Sequence, residues 1–424
     1  MSDERVYAFY SGSIFANFEF NNNKQTDSWD EIAAATGAAT WNDDGYVSMV
    51  TPAVNDRIVR QTKEYYTAKS YKYNIALFTA VLNIEVANTD NAPGEFGSTS
   101  RIGVFDDKDD KTESTDLGYF FEYTITDGAT ETATNPLRHP LKVGIRYNST
   151  ANQLGDTIIS QNSFNINDLN RNTHISIPEW SKIYTYEIKY NAIGYVEWAI
   201  YLDGERILLH KEQDISSILN TLPKFNMPLR FELDNTDNTD TGTPATTYQM
   251  RQFHASIIYE NSDNWESNIQ PIYNLAPLTT NEMLYTIDTF TYEPIFSVRL
   301  KSTYIRDPIR LYEVMYLVQK RGPFVFAIIR NGTPTTASWT NPGSKFKLEY
   351  DISSNAIAST ADCIYEEYVD ADIYSVNHQP SKLQSYFPPI ASTISGVADI
   401  FTIVARKMSQ IKVTCNWQFK WIQN

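Results

Sequence analysis

Apolar and polar positions alternate with a period of two along much of this chain, and the clearest run lies between Tyr184 and Glu260. Tyr184–Tyr190 alternates aromatic or β-branched residues with polar ones, the pattern of a half-buried strand. Asn191–Gly194 turns the chain and Tyr195–Leu202 returns. Asp203-Gly204 then predicts a two-residue hairpin turn, because both central residues of a type I′ turn need positive φ. Arg206–His210, Met227–Leu233 and Met250–Tyr259 follow, so the stretch predicts four or five consecutive antiparallel strands, a meander presenting a surface.

Upstream, Tyr73–Leu82 is nearly continuous in apolar residues and suits a central strand buried on both faces. Arg101–Asp107, Gly118–Thr124, Lys142–Tyr147 and Ile175–Ile177 complete one large sandwich over 46–265. Residues 1–45 carry short aromatic patches, Tyr7–Tyr10 and Ile14–Phe20, followed by the polar run from Asn21 to Gln25. They are expected as an extended N-terminal arm that either adds a strand to the sandwich or docks on a neighbouring subunit. The turn-rich segment 266–281 is the expected linker. New strands at Ile295–Leu300, Arg310–Val318, Phe324–Ile329, Phe346–Tyr350, Phe401–Ala405 and Ile411–Trp417 place a smaller C-terminal β-sandwich at 282–424. The expected fold class is all-β.

Composition agrees: 28 Tyr and 21 Phe in 424 residues favour strands. The net charge of −16 repels a phosphate backbone, so no nucleic-acid partner is expected. No apolar run approaches the roughly 18 residues of a membrane span, and Met1-Ser-Asp-Glu-Arg has no secretory character, so membrane insertion is not expected. Asn148-Ser-Thr and Asn331-Gly-Thr read as chance sequons. The two cysteines, Cys363 and Cys415, exclude a disulfide framework and a cysteine-rich zinc site; two buried free thiols are expected over one bridge.

Several motifs, taken in order, resemble a family of virion structural proteins of tailed bacteriophages and large DNA viruses. They are Arg60–Tyr66, Arg101-Ile-Gly-Val-Phe-Asp-Asp107, Phe120-Phe-Glu122, Gly194 with Val196, Asp203-Gly204, His210 and Pro228–Leu233. Phe296–Thr303 and Asp399–Arg406 continue the series. The family's W-L-G-x-G is Tyr190-Asn-Ala-Ile-Gly194 here, and an enlarged acidic loop separates the Arg101 and Phe120 segments. The resemblance spans roughly 55–265 and 290–417, and it implies a concanavalin A-like first domain.

That fold includes glucanases, which carry carboxylates at E-x-D-x-x-E so that two of them reach one bond. The nearest approach here is Glu349-Tyr-Asp351, with Ser354 at the third position and outside the first domain. No G-x-S-x-G, H-E-x-x-H or P-loop occurs. His139, His174, His210, His254 and His378 are scattered singly; only His210 with His254, across a sheet, suggests a metal pair, and a structural role for each is preferred. Asp106, Asp107, Asp109 and Asp110, and the run Asp234–Asp240, are acidic enough for Ca²⁺ but lack EF-hand spacing, and read as solvated loops. Trp180, Trp198, Trp265 and Trp339 are candidates for stacking on sugars.

These readings give no catalytic, cofactor or metal residues. The expected function is a non-enzymatic virion component of capsid or tail, located in the virion. Its expected partners are other virion proteins and further copies of itself. The alternative is a glycan-binding adhesin or fibre module that meets a host glycan, and an unrecognised hydrolase stands third.

Overall fold

A computed structural model describes residues 12–53, 55–67, 73–87, 98–106, 118–124, 141–149, 153–167, 169, 182–192, 194–213, 226–235 and 247–260 of the N-terminal part. In the C-terminal part it describes 272–275, 284–304, 307, 309–320, 322–343, 346–357, 362–369, 390–393 and 396–423. The expected strand at Ile175–Ile177 lies outside these residues. The chain divides into two compact units, Met1–Ser267 and Asn268–Asn424. Among the described residues, strands dominate and no helix is long and apolar enough to cross a membrane.

The first unit opens with β1 (Gly12–Glu19), β2 (Trp29–Ala34), β3 (Ala38–Asn42), β4 (Tyr46–Thr51), β5 (Arg57–Thr62) and β6 (Tyr66–Thr67). It continues with β7 (Asn74–Ala87), β8 (Thr99–Val104), β9 (Gly118–Thr124), β10 (Leu141–Ser149) and β11 (Gln153–Ser160). Its last strands are β12 (Tyr184–Tyr190), β13 (Val196–Leu202), β14 (Glu205–Glu212), β15 (Asn226–Met227), β16 (Leu229–Asp234) and β17 (Thr247–Glu260). An eight-stranded antiparallel sheet runs β14-β13-β12-β7-β17-β4-β3, with β1 also on β17. A seven-stranded sheet runs β11-β10-β9-β8-β16-β5-β2. One core joins their inner faces, including Phe78, Tyr186, Ile188 and Trp198 from one sheet and Ile102, Phe121, Val143 and Phe231 from the other. Two large antiparallel sheets face to face around one core make this a β-sandwich.

The hairpin expected at Asp203-Gly204 forms, with φ of 51° and 86°, and Gly204 takes the second value with no Cβ to strain. Asn74–Leu82 of the expected strand falls in β7, central in its sheet and largely buried as the apolar run requires. The expected meander holds only for β12, β13 and β14. β16 pairs with β5 and β8 in the seven-stranded sheet, and β17 returns to the eight-stranded sheet between β7 and β4. The reason lies in burial. Leu229, Phe231 and Leu233 enter the core while Arg230 and Glu232 on the opposite face are 0% and 1% exposed, so this strand needs cover on both faces and ladders on both edges.

Within the segment expected as an arm, the described residues take the first of its two expected outcomes and add strands to the sandwich: β1 joins the eight-stranded sheet, β3 extends its edge and β2 ends the other sheet. Phe18, Phe20 and Trp29 are core residues, while the expected aromatic patch Tyr7–Tyr10 lies outside the described residues. Phe18 and Phe20 pack edge-on against Trp29 with centroids 5.4 and 5.5 Å apart. Arg60 lies under these rings, 5.1 Å from Phe20 and 5.6 Å from Trp29, and donates to Gln252 on the opposite sheet and to the Lys24 carbonyl. Burial brings its pKa down to about 10 against the pull of Glu31.

The second unit contains β18 (Ile272–Leu275), β19 (Leu284–Ile287), β20 (Glu293–Leu300), β21 (Ile309–Lys320) and β22 (Phe324–Arg330). It closes with β23 (Leu348–Asp351), β24 (Cys363–Val369), β25 (Ile400–Lys407) and β26 (Val413–Gln423). A five-stranded sheet, β23-β20-β25-β22-β24, shares a core with a four-stranded one in which β26 pairs β21, β18 and β19. Both cysteines are unbridged. Cys415 is buried as expected, but Cys363 is exposed because it opens β24, the edge strand of its sheet.

Candidate functional site

The seven-stranded sheet has an outer face of ions and aromatic rings. Register sets Glu232, Arg101, Glu122 and Lys142 side by side across β16, β8, β9 and β10. Arg101 reaches Glu122 at 2.9 Å and Glu232 at 3.3 Å, and Lys142 reaches Glu122 at 3.1 Å. Glu232 also takes Arg230 at 2.9 Å and Arg57 at 3.2 Å. Burial alone raises the pKa of Glu232, but Arg230, Arg57 and Arg101 outweigh it and hold the carboxyl well below the usual carboxylate range.

Beside this row lie Phe105 and Phe120, both 0% exposed, with ring centroids 5.2 Å apart. Arg146 sits over both rings at 5.0 and 5.5 Å, and Arg230 sits over Phe105 at 5.3 Å. Arg146 is anchored by Asp156 at 2.8 and 3.0 Å and by the Asp106 carbonyl at 2.6 Å. Phe120 lies flat because Gly144 is opposite it; a Cβ there would overlap the ring. Gly118 gives Phe105 room in the same way. This face is a second core, in which Glu232, Glu122 and Asp156 are each held by a cation.

The outer face of the eight-stranded sheet has a similar composition and a different outcome. Ile75, Lys189, Glu197 and Lys211 line up across β7, β12, β13 and β14. Next to the row, at the ends of β7 and β13, Tyr73 and Tyr195 meet edge-on with centroids 5.0 Å apart. The Lys189 ammonium stands 4.4 Å from the Tyr73 ring and that of Lys211 5.1 Å from the Tyr195 ring. Tyr195 donates to Glu197, and burial together with that carboxylate raises its pKa. Tyr73, Lys189, Tyr195 and Lys211 are all half-exposed. Glu197 is also held by Arg206 at 3.1 Å, which reaches the buried Glu187 at 2.6 Å. The result is a rigid, partly open platform of two aromatic rings bordered by two ammonium groups and one carboxylate.

The candidate residues from the sequence do not converge. His210 and His254 sit on β14 and β17 with three strands between them, about 19 Å at ~4.8 Å per strand, so they form no metal pair. His210 is held by Glu212 at 3.0 Å and by the Asn165 N–H at 3.1 Å; His254 meets Asn17 at 2.6 Å. His139, His174 and His378 lie outside the described residues, as do Asp107, Asp109, Asp110 and most of Asp234–Asp240. Asp106 accepts from Tyr65 at 3.0 Å, and Asp234 faces Arg57 at 3.9 Å. Among the described residues no cluster of three or more His, Cys, Asp or Glu side chains is arranged to hold a metal ion.

Glu349 pairs with Arg299 at 2.5 Å, while Asp351 caps a turn by accepting from Ser338, Ser353 and Ser354. Trp198 is buried in the core, Trp339 packs 4.1 Å from Arg299, and Trp180 and Trp265 lie outside the described residues. Tyr73 and Tyr195 do not stand out in the sequence, because they lie far apart along the chain and only the β7–β12–β13 ladder brings them together. Their signal is an aromatic residue just ahead of each of two strands that are neighbours of β12.

No protein-family model and no curated protein matches the chain. Similar solved structures include the carbohydrate recognition domain of Emp47p, 10% identical over 59% of this chain and 97% of that one, with a TM-score of 0.36. The legume lectin-like domain from Entamoeba histolytica is 10% identical over 58% of this chain and 96% of that one, with a TM-score of 0.35. Basic winged bean lectin, solved with Tn-antigen, is 11% identical over 58% of this chain and 98% of that one, with a TM-score of 0.35. The first unit is a two-sheet β-sandwich with one outer face closed by its own side chains and the other partly open.

Proposed function

We propose that this chain is a non-catalytic recognition protein whose first unit binds glycans through the Tyr73–Tyr195 platform. One observation carries the reading: two half-exposed rings on a rigid sheet, with Lys189, Lys211 and Glu197 beside them. Sugar rings present C–H faces to aromatic rings and hydroxyls to charged groups, so a few fixed polar side chains beside an aromatic surface suit them. The neighbours named above as lectins or carbohydrate recognition domains are in keeping with it. In keeping with the non-catalytic part, Glu232 on the opposite face is 1% exposed and enclosed by Arg230, Arg57 and Arg101, so it is closed to a substrate. A glycan array probed with the full chain tests the proposal. A defined set of sugars should bind, and Tyr73→Ala/Tyr195→Ala should lose at least tenfold in affinity while staying folded; a blank array, or binding that the double variant leaves unchanged, overturns it.

A second reading, a capsid- or tail-associated virion component acting through protein contacts, is favoured by one feature of the second unit. Phe290, Met408 and Ile411 are 51%, 42% and 51% exposed. They lie along one end of that unit, linked by the Lys407-to-Thr289 and Met408-to-Pro323 backbone bonds and by Gly322 against Ile411. Exposed apolar groups of this kind suit a subunit contact. Mass spectrometry of purified particles at a fixed stoichiometry, together with a blank array, is the outcome this reading expects.

A further inference from the structure

We propose that one end of the first unit's core is an internal binding site for ordered water, built by Asn74, Tyr119, Tyr190 and Trp198. Asn74 of β7 stands directly opposite Tyr190 of β12. The Tyr119 ring, from the facing sheet, lies 5.6 Å from Tyr190 and 6.2 Å from Trp198. All four residues are 0% exposed. Both amide atoms of Asn74, the two phenol oxygens and Trp198 Nε1 find no hydrogen-bond partner among the described residues.

Five such atoms in one patch need an explanation, because an unmet buried donor or acceptor costs about 1–3 kcal/mol and a domain's whole stability is only about 5–15 kcal/mol. Phe and Leu would fill the same space without that cost. The groups are the right kind for water, which needs two to four polar partners in about the volume of one probe sphere. Asn74 supplies a donor and an acceptor, each phenol supplies both, and Trp198 supplies a donor. The site is neutral, since burial holds both phenols protonated, so it favours water over a cation.

Oxygen-17 relaxation dispersion on the full chain, which reports long-lived internal waters, tests this. Tyr119→Phe/Tyr190→Phe should lose the contribution of at least one long-lived water, and an unchanged amplitude overturns the proposal. Should the double variant fail to fold, a crystal structure of the unaltered chain decides. Water within hydrogen-bond distance of Tyr190 Oη and the Asn74 amide supports the site, and side chains paired with one another or a dry contact there overturn it.

Discussion

The two outer faces of the first sandwich are built from the same kinds of residue, aromatic rings and opposite charges, yet one is closed and the other half open. On the seven-stranded sheet, Gly144 and Gly118 let Phe120 and Phe105 lie down on the strands, and arginines cover the rings. Glu232 and Glu122 then have to be paired in place, because a buried carboxylate without a cation is too costly. On the eight-stranded sheet Tyr73 and Tyr195 meet edge-on at strand ends, and their neighbours Lys189 and Lys211 keep access to water. The lesson is that composition of a sheet face does not decide its role; the residue opposite each ring does.

The largest effect should come from breaking the closed face. Glu232→Ala leaves Arg230, Arg57 and Arg101 without their shared partner, and should cost about 3–5 kcal/mol in urea unfolding. Gly144→Ala forces the Phe120 ring off its strand and should cost about 1–3 kcal/mol. Adding Phe120→Leu should recover part of that loss, by a coupling above about 0.5 kcal/mol.

Acid should act on the same face. The folded pKa of Glu232 is depressed, so its contribution is complete above the unfolded value of about 4.3 and is lost as pH falls through the lower folded value. Glu232→Gln should therefore melt below the unaltered chain at pH 7, with the two converging in strong acid; parallel curves from pH 7 to 2 would contradict this. The smallest effect belongs to the open face, where Tyr73→Ala/Tyr195→Ala should change stability by about 1 kcal/mol or less while removing glycan binding.

Much of the sandwich was legible in the sequence where a local rule was sufficient. Asp203-Gly204 dictates its turn, and the apolar run of Tyr73–Leu82 dictates a central strand. Pairing across long separations was not legible. Leu229–Asp234 reads as a strand, but its alternation of Leu, Phe and Leu with Arg and Glu looks like a core face and a wet face. Only the arrangement of β8, β9 and β10 beside it shows that Arg230 and Glu232 are buried as well. Residues 1–45 read as an arm because their aromatic residues come in short patches, and the partners of Phe18, Phe20 and Trp29, among them Phe231, Phe253 and Arg60, lie farther along the chain. The Tyr73–Tyr195 platform was not legible for the same reason: its two rings are brought together only by the β7–β12–β13 ladder.

Hydrogen exchange of the full chain with and without a glycan selected on the array tests the contrast between the faces most directly. Protection should appear at Tyr73–Leu77 and Tyr195–Tyr201 and leave Arg101–Val104 and Leu229–Asp234 unchanged. Protection confined to those last two segments would contradict the assignment of the open face as the recognition surface.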